Sequence, residues 1–118
     1  MTFICYPKCT TCQKAGKWLD ECGIDYHFRD IKENNPTYDE LKTWLLVSGL
    51  SVKKFFNTSG LIYKSLNLKD KLPGMSDDEC LKLLATDGML VKRPLLIGEG
   101  FVLVGFKENE WENVIKRK

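Results

Sequence analysis

The N-terminal part of the chain alternates short strand-like runs with a stretch of helical periodicity. Residues 2–6 form a continuous apolar run that ends at Pro7, which is typical of a buried strand. The next apolar positions recur every three or four residues, as on one helix face: Cys12, Ala15, Leu19 and Cys22. Gly23 supplies the left-handed stop of that helix. Aromatic and polar residues alternate over 25–31, which predicts a second strand in parallel pairing with the first.

The middle of the chain is predicted to be helical. Two capping boxes, in which Ser or Thr precedes Glu by three positions, mark helix starts: Thr37 with Glu40, and Ser76 with Glu79. The first predicted helix ends at Gly49 and the second at Gly88. Between them, residues 53–68 carry apolar positions on both sides of a polar turn, which indicates short helices.

The C-terminal part returns to a strand pattern. Residues 94–97 and 101–104 are rich in β-favouring side chains, and the glycine-bearing link 98–100 is typical of a hairpin. Residues 108–118 carry apolar positions at helical spacing and end in basic residues, as helix C-termini prefer. The predicted order is strand, helix, strand, several helices, two strands and a helix, which indicates an α/β protein.

Composition narrows the class of protein. A chain of 118 residues with 43% hydrophobic residues suffices for one domain with its own core. The 18 Lys and Arg residues against 16 Asp and Glu give a formal charge of +2, so we expect no direct nucleic-acid binding and no membrane binding. No run approaches the roughly 20 apolar residues that span a bilayer. The odd, unevenly spaced set of five cysteines argues against a secreted disulfide framework, so we expect a cytoplasmic protein. We also expect it to be a monomer.

The candidate chemistry lies in the sequence Cys-Thr-Thr-Cys, between the first predicted strand and the first helix. Unpaired N–H groups and the positive end of the helix dipole stabilise a thiolate there, so Cys9 is the expected nucleophile. Cys12 lies nearly one turn further on and can attack a mixed disulfide formed at Cys9, which makes it the expected resolving thiol. Lys8 beside the pair, and Arg93 if the fold brings it near, would add positive charge that favours the thiolate.

The sequence is also compatible with three other interpretations of the cysteines. Together with Cys5 the pair gives a C-x3-C-x2-C spacing that also occurs in iron–sulfur proteins, although Cys5 falls inside the predicted strand. Zinc would need ligands from other elements, such as His27, Cys22 or Cys80, and all of these are interpreted as packing or surface residues. Two plain structural cysteines are the third alternative. The position after a strand and before a helix favours redox chemistry without a metal.

Several segments together resemble the ArsC/Spx family: YPKCTTCQKA at 6–15, FFNTSG at 55–60, KRPLL at 92–96 and VGF at 104–106. The resemblance covers essentially the whole chain. It implies a thioredoxin-like (glutaredoxin-like) fold with a mixed sheet and a helical insert. The single domain 1–118 would then consist of a core at about 1–33 and 88–118 and an insert at about 34–87. It also implies a cis Pro94 that faces the active cysteine, and a contact of Arg93 with an anion or thiolate.

Within that family, the chain differs from the glutathione-dependent arsenate reductases. The resemblance implies that those enzymes have one active cysteine followed by Gly-Thr-Ser, and three arginines that bind the oxyanion. Here Cys12 replaces the serine, Arg93 alone matches the arginines, and Asn57 and Gly105 occupy the other two places. A tight arsenate pocket is therefore not expected.

The functional hypothesis is a thiol–disulfide oxidoreductase of the ArsC family that acts on a thiol or disulfide substrate. Its catalytic residues would be Cys9, Cys12 and Arg93, and Lys8 and Pro94 would contact the substrate. We expect no bound cofactor, with glutathione, thioredoxin or glutaredoxin as electron donor. The alternative is an Spx-like redox-sensing transcriptional regulator that binds RNA polymerase, and a second alternative is an arsenate reductase.

Overall fold

The computed structural model describes residues 1–115. Its strands are β1 (Thr2–Cys5), β2 (His27–Asp30), β3 (Leu95–Gly98) and β4 (Phe101–Val104). Its α-helices are α1 (Thr10–Glu21), α2 (Tyr38–Ser48), α3 (Leu61–Ser65), α4 (Leu68–Lys71), α5 (Asp77–Leu84) and α6 (Glu108–Ile115). Short 3-10 turns cover Val52–Phe55, Leu72–Gly74 and Gly88–Leu90. The last three residues of the predicted C-terminal helix, 116–118, lie outside the described residues.

The four strands form one mixed sheet in the order β2-β1-β3-β4. β1 pairs with β2 in parallel, whereas β3 is antiparallel to both β1 and β4. The parallel pairing of the first two strands and the β3–β4 hairpin are both as predicted. The structure therefore confirms the expected α/β class with a thioredoxin-like mixed sheet.

Successive strand residues point to opposite faces of the sheet, and this divides the core in two. The thiol-side core lies between the sheet and helices α1 and α6 and consists of Phe3, Cys5, Cys12, Ala15, Trp18, Leu19, Leu96, Leu103, Trp111 and Ile115. The insert-side core packs the helices between β2 and β3 on the other face, where Ile4, Leu95 and Val102 project. Because Phe3 and Cys5 share a face while Ile4 takes the other, Cys5 belongs to the side that carries α1.

Both predicted capping boxes are present. The Thr37 hydroxyl accepts from the backbone N–H of Glu40, and Ser76 does the same for Glu79, with each Glu carboxylate bonded back to the cap. Gly49 takes the predicted left-handed conformation after α2, with φ 69°. These local signals positioned the helices correctly because their hydrogen bonds lie within a few residues of sequence.

The predicted end of the last insert helix is wrong. α5 ends at Leu84, and Gly88 belongs instead to a separate 3-10 turn. A side chain at Gly88 would place its Cβ 1.8 Å from the carbonyl oxygen of Ile31, so this glycine permits close approach of two backbone segments. The sequence pattern does not distinguish that role from a helix stop.

Candidate active site

The loop between β1 and α1 holds Cys9 at the start of the helix. Cys9 is the N-terminal cap residue of α1, and it is half-buried. Its backbone N–H donates to the carbonyl of Tyr6 at 2.9 Å, and the side-chain amide of Gln13 donates to the carbonyl of Pro7 at 3.0 Å. These bonds close the loop, so Cys9 is fixed beside the unpaired N–H groups and the positive end of α1.

Cys12 occupies a different environment from Cys9. It is buried in the thiol-side core with 2% of its surface exposed, and its sulfur accepts a hydrogen bond from the backbone N–H of Tyr6 at 3.3 Å. A hydrogen bond that the Cys12 thiol donates to Cys5, followed by burial, raises the pKa of Cys12. Cys12 is therefore a protonated thiol at neutral pH, whereas the half-buried Cys9 is open to a substrate.

Cys5 is the acceptor of the hydrogen bond from Cys12. That bond lowers the pKa of Cys5, while burial and the nearby Asp30 carboxylate oppose the change. The three cysteines of the N-terminal segment thus form one group in space, with Cys5 beneath Cys12 and Cys12 one turn from Cys9. Sequence reasoning placed Cys5 in the strand and left it out of the site. The alternation of Phe3, Ile4 and Cys5 along β1 was the signal that could have placed it beside α1.

Arg93 lies against the same loop. Its guanidinium carbon sits 5.5 Å from the centre of the Tyr6 ring, in a cation–π contact. Two of its nitrogens, Nε and Nη1, are buried and have no hydrogen-bond partner among the described residues. These two nitrogens can donate to an anion, because leaving buried donors unpaired is unfavourable.

Tyr6 connects these groups and is a second residue that sequence reasoning missed. Its carbonyl binds the N–H of Cys9, its own N–H binds the sulfur of Cys12, and its ring supports Arg93. One residue at the end of β1 thus contacts both ends of the Cys-Thr-Thr-Cys segment and the distant arginine. In the sequence Tyr6 is the last residue of an apolar run and the first residue of the segment that resembles the ArsC/Spx family, and neither pattern indicates these contacts.

The Arg93–Pro94 peptide bond is cis, as the resemblance implies. Pro94 is buried, and its carbonyl accepts the N–H of Gly105 at 2.8 Å. On the other side, the N–H of Lys92 donates to the carbonyl of Phe55 at 2.7 Å. Arg93 is therefore held between the helical segment and the β4–α6 turn. Lys8 is exposed at the loop, where it can contribute charge near Cys9.

The two positions that would carry further arginines in an arsenate reductase have other roles. Asn57 accepts a hydrogen bond from the Ser59 hydroxyl at 3.2 Å within its own turn. Gly105 has φ +74°, and a Cβ there would lie 3.2 Å from Cε of Lys92. A side chain at 105 would therefore be strained in its backbone and crowded by its neighbour.

The described residues offer no arrangement of three or more His, Cys, Asp and Glu side chains that could hold a metal ion. The three neighbouring cysteines are therefore not a metal-ligand set within residues 1–115. The helices described in this range are also too short or too polar to cross a membrane.

The model of the ArsC family matches residues 5–114. The chain belongs to the ArsC family. Among relatives, the protein YusI of Bacillus subtilis is 55% identical over 112 residues, covering 95% of each chain. The regulatory protein MgsR of the same species is 30% identical over 118 residues, covering 100% of this chain and 92% of MgsR.

Two solved structures extend the comparison to the fold. An ArsC-family-related protein of Bacteroides fragilis is 59% identical with a TM-score of 0.94, over 96% of this chain and 95% of that one. A protein of Streptococcus mutans, described as a possible arsenate reductase, is 49% identical with a TM-score of 0.86, over 94% and 96% of the two chains. The proteins similar to this chain thus include one named as a regulatory protein and one described as a possible arsenate reductase.

Proposed function

We propose that this ArsC-family protein is a thiol–disulfide oxidoreductase in which Cys9 is the nucleophile and Cys12 the resolving thiol. The observation that carries the proposal is the inequality of the two thiols. Cys9 is half-buried at the positive end of α1, while Cys12 is 2% exposed and has a pKa that its interaction with Cys5, followed by burial, raises. A substrate therefore meets Cys9 first.

The reaction divides into two exchanges. In the first, the Cys9 thiolate attacks one sulfur of a substrate disulfide, forms a mixed disulfide and releases the other half as a thiolate. In the second, Cys12 loses its proton, attacks the sulfur of Cys9 and releases the remaining half of the substrate. The protein ends with a Cys9–Cys12 disulfide and the substrate has gained two electrons.

Arg93 fits the role of anion contact in both exchanges. Its buried Nε and Nη1 lack partners among residues 1–115, so a carboxylate of a glutathione-like substrate or the departing thiolate would complete its hydrogen bonds. Lys8 would add positive charge at the open side of the loop, and Pro94 would contact the bound substrate. Glutathione, thioredoxin or glutaredoxin would return the protein to the dithiol, with no bound cofactor.

A coupled turnover assay tests the proposal. The reduced protein is offered a glutathionylated peptide, a small disulfide and arsenate, each with glutathione, thioredoxin and glutaredoxin as alternative donors. We expect turnover of a disulfide substrate that Cys9→Ser abolishes and that Cys12→Ser converts into an accumulating mixed disulfide at Cys9. Cys22→Ser is the matched control, because Cys22 lies at the far end of α1, and it should keep full activity.

An Spx-like regulator is the second candidate function. It is favoured by the similarity to MgsR over the whole chain and by exposed apolar side chains at the end of α2, where Leu46 is 77% exposed and Val47 48%. In that function the redox state of Cys9 and Cys12 would control docking on RNA polymerase. Absence of turnover with every donor, together with capture of purified RNA polymerase that depends on the two cysteines, would replace the enzyme proposal with this one.

Arsenate is expected to be a poor ligand. One arginine replaces three, and each lost charge-assisted hydrogen bond is worth about 1.5–3 kcal/mol. Isothermal titration should therefore detect only weak arsenate binding. Micromolar binding that disappears in Arg93→Ala would contradict this expectation and favour the arsenate reductase alternative.

A further inference from the structure

Cys5 is a third thiol beside the proposed pair, and the exchanges described above do not use it. It ends β1, is 4% exposed and belongs to the thiol-side core together with Cys12. The interaction between the Cys5 and Cys12 thiols shifts the pKa of both, downward for Cys5 and upward for Cys12. Neither of the other two cysteines, Cys22 and Cys80, has a thiol partner of this kind among the described residues.

The backbone shows how closely the two residues approach. The sulfur of Cys12 lies 3.3 Å from the amide nitrogen of Tyr6, and that nitrogen is bonded to the carbonyl carbon of Cys5. Cys12 Sγ is therefore beside the main chain of Cys5, on the face of β1 from which the Cys5 side chain projects. A disulfide requires two cysteines on neighbouring backbones, and Cys5 and Cys12 share the thiol-side core at this point.

A surface cleft of about 360 Å³ reaches the pair from the side of β2. Cys5 and Cys12 both contribute to its lining, together with Gly16 of α1 and the aromatic ring of Tyr26, whereas Cys9 does not. Cys5 and Cys12 are only 4% and 2% exposed, so the cleft ends against the small exposed part of each residue, and it approaches them by a route that does not pass over Cys9.

We propose that Cys5 is a second disulfide partner of Cys12, so that oxidation received at Cys9 is passed inward to a Cys5–Cys12 disulfide. The proposal rests on the proposed oxidoreductase function. The Cys5 thiolate attacks Cys12 Sγ of the Cys9–Cys12 disulfide, the Cys5–Cys12 bond forms, and the bond to Cys9 breaks with Cys9 leaving as a thiolate. The proton lost by Cys5 balances the proton that Cys9 can take up, and no electrons enter or leave.

This exchange gives the protein two oxidised forms with different exposed groups. In the first form Cys9 is blocked. In the second form Cys9 is a free thiol again and the oxidising equivalents are stored in a buried pair, where a small thiol in the cleft can reduce them. The Cys5–Cys12 disulfide is thus the resting oxidised state, and Cys9 is available for another substrate.

Tryptic mapping separates the two disulfides, because cleavage after Lys8 and Lys14 gives a peptide 1–8 with Cys5 and a peptide 9–14 with Cys9 and Cys12. The reduced protein is treated with oxidised glutathione, alkylated and digested without reduction. A Cys9–Cys12 disulfide stays within peptide 9–14, whereas a Cys5–Cys12 disulfide joins the two peptides and leaves Cys9 alkylated. We expect the joined peptides to be the main product, and fragmentation to place the bond at Cys12.

Variants distinguish failure of this inference from failure of the proposed function. Cys9→Ser treated with the azo oxidant diamide should still give joined peptides, since the inner pair needs no Cys9. Cys5→Ala should lose the joined peptides and leave Cys9 unalkylated in the oxidised protein, and Cys80→Ala should behave like the unaltered protein. Disulfide only within peptide 9–14, with Cys5 fully alkylated after unfolding, would overturn the inference. Failure of Cys12→Ser to form a mixed disulfide at Cys9 would instead contradict the proposed function.

Discussion

The two faces of the sheet bury cysteines to similar depth but give them different chemistry. On the insert side Cys80 is 1% exposed, and burial, followed by the nearby carboxylates of Asp77 and Glu79, raises its pKa. On the thiol side Cys5 is 4% exposed, yet a hydrogen bond from Cys12 lowers its pKa. Depth of burial therefore does not decide how reactive a thiol is. The neighbouring groups decide it, and on the thiol side those neighbours are other thiols.

The two sides also differ in what stabilises them. The thiol side centres on Trp111, whose ring packs at right angles against Phe106, with centroids 4.9 Å apart. The insert side has its own apolar core, which includes Phe55, and adds helix caps and a bidentate salt bridge between Arg29 and Glu40. We therefore expect substitutions on the thiol side to change the redox site, and substitutions on the insert side to change stability alone.

The largest expected effect is on thiol reactivity. Cys9→Ser should reduce turnover by at least about a thousandfold, because the nucleophile of a covalent mechanism has no substitute. Cys80→Ala should leave turnover within about twofold, since Cys80 lies in the other core. Timed alkylation at neutral pH, followed by mass spectrometry, should label Cys9 first and Cys80 only after unfolding. Equal labelling rates for these two residues would remove the basis of the comparison.

Much of this arrangement follows from local sequence. The capping boxes at Thr37 and Ser76, the hairpin at 98–100 and the Cys-Thr-Thr-Cys segment before α1 are all encoded within a few residues. Local hydrogen bonds and turn preferences fix these features whatever the rest of the chain does. The elements and the position of the thiol pair could therefore be predicted without the structure.

The features that escaped prediction depend on distant contacts. Cys5 joins the site only because α1 packs on the same face of β1, and Tyr6 matters only because Arg93 arrives from a segment far along the chain. Phe28 belongs to the apolar set of β2 but is 47% exposed, because β2 is an edge strand and is covered incompletely. Predicting these contacts and exposures requires the register of the sheet and the packing of the helices, and the periodicity of the sequence contains neither.

The second prediction concerns the stability of the thiol side. Trp111→Ala should lower the free energy of unfolding by about 3–5 kcal/mol, because it empties a fully buried site. It also removes the hydrogen bond that Trp111 Nε1 donates to the carbonyl of Gly105 at 2.9 Å. Gly105 in turn donates its backbone N–H to the carbonyl of Pro94. Denaturant unfolding measures the first effect, and the alkylation rate of Cys9 measures the second.

Phe55→Ala is the matched insert-side variant, since Phe55 is also fully buried. It should cost a similar free energy of unfolding, about 3–5 kcal/mol. Under conditions in which both variants remain folded, we expect a change in the Cys9 alkylation rate for Trp111→Ala that exceeds the change for Phe55→Ala. The reverse order would show that the insert, through the contact of Phe55 with Lys92, controls the site more strongly than the thiol-side core.

The third prediction concerns substrate binding. Arg93→Ala should raise KM for a glutathionylated peptide by about 10- to 100-fold, since a charge-assisted hydrogen bond is worth about 1.5–3 kcal/mol. Arg93→Lys should recover only part of this loss, because an ammonium cannot reproduce the planar set of donors. Steady-state kinetics with a neutral small disulfide provides the control, and its KM should change much less. Equal losses for both substrates would mean that Arg93 supports the loop rather than the anion.

The smallest effect is expected on the insert side, at Glu40. The hydrogen bonds from Arg29, at 2.6 and 2.8 Å, lower the pKa of Glu40 from 4.5 to about 2. A carboxylate with a lowered pKa stabilises the folded protein above its unfolded pKa, and this stabilisation is lost as the pH falls from 4.5 towards 2. Because the side chain is 34% exposed, solvent screening reduces its contribution to about 1 kcal/mol.

Glu40→Gln should therefore lower the free energy of unfolding by about 1 kcal/mol at neutral pH and flatten its decline in acid, while the amide still accepts the cap N–H of Thr37. Glu79→Gln changes the corresponding position of the other capping box, where Ser76 is the main cause of the lowered pKa, and should have a smaller effect. Urea unfolding between neutral and acidic pH measures both. The alkylation rate of Cys9 should be the same in the two variants and the unaltered protein, because neither carboxylate lies on the thiol side. A changed rate in Glu40→Gln alone would show that the two faces of the sheet are coupled through Arg29 and β2.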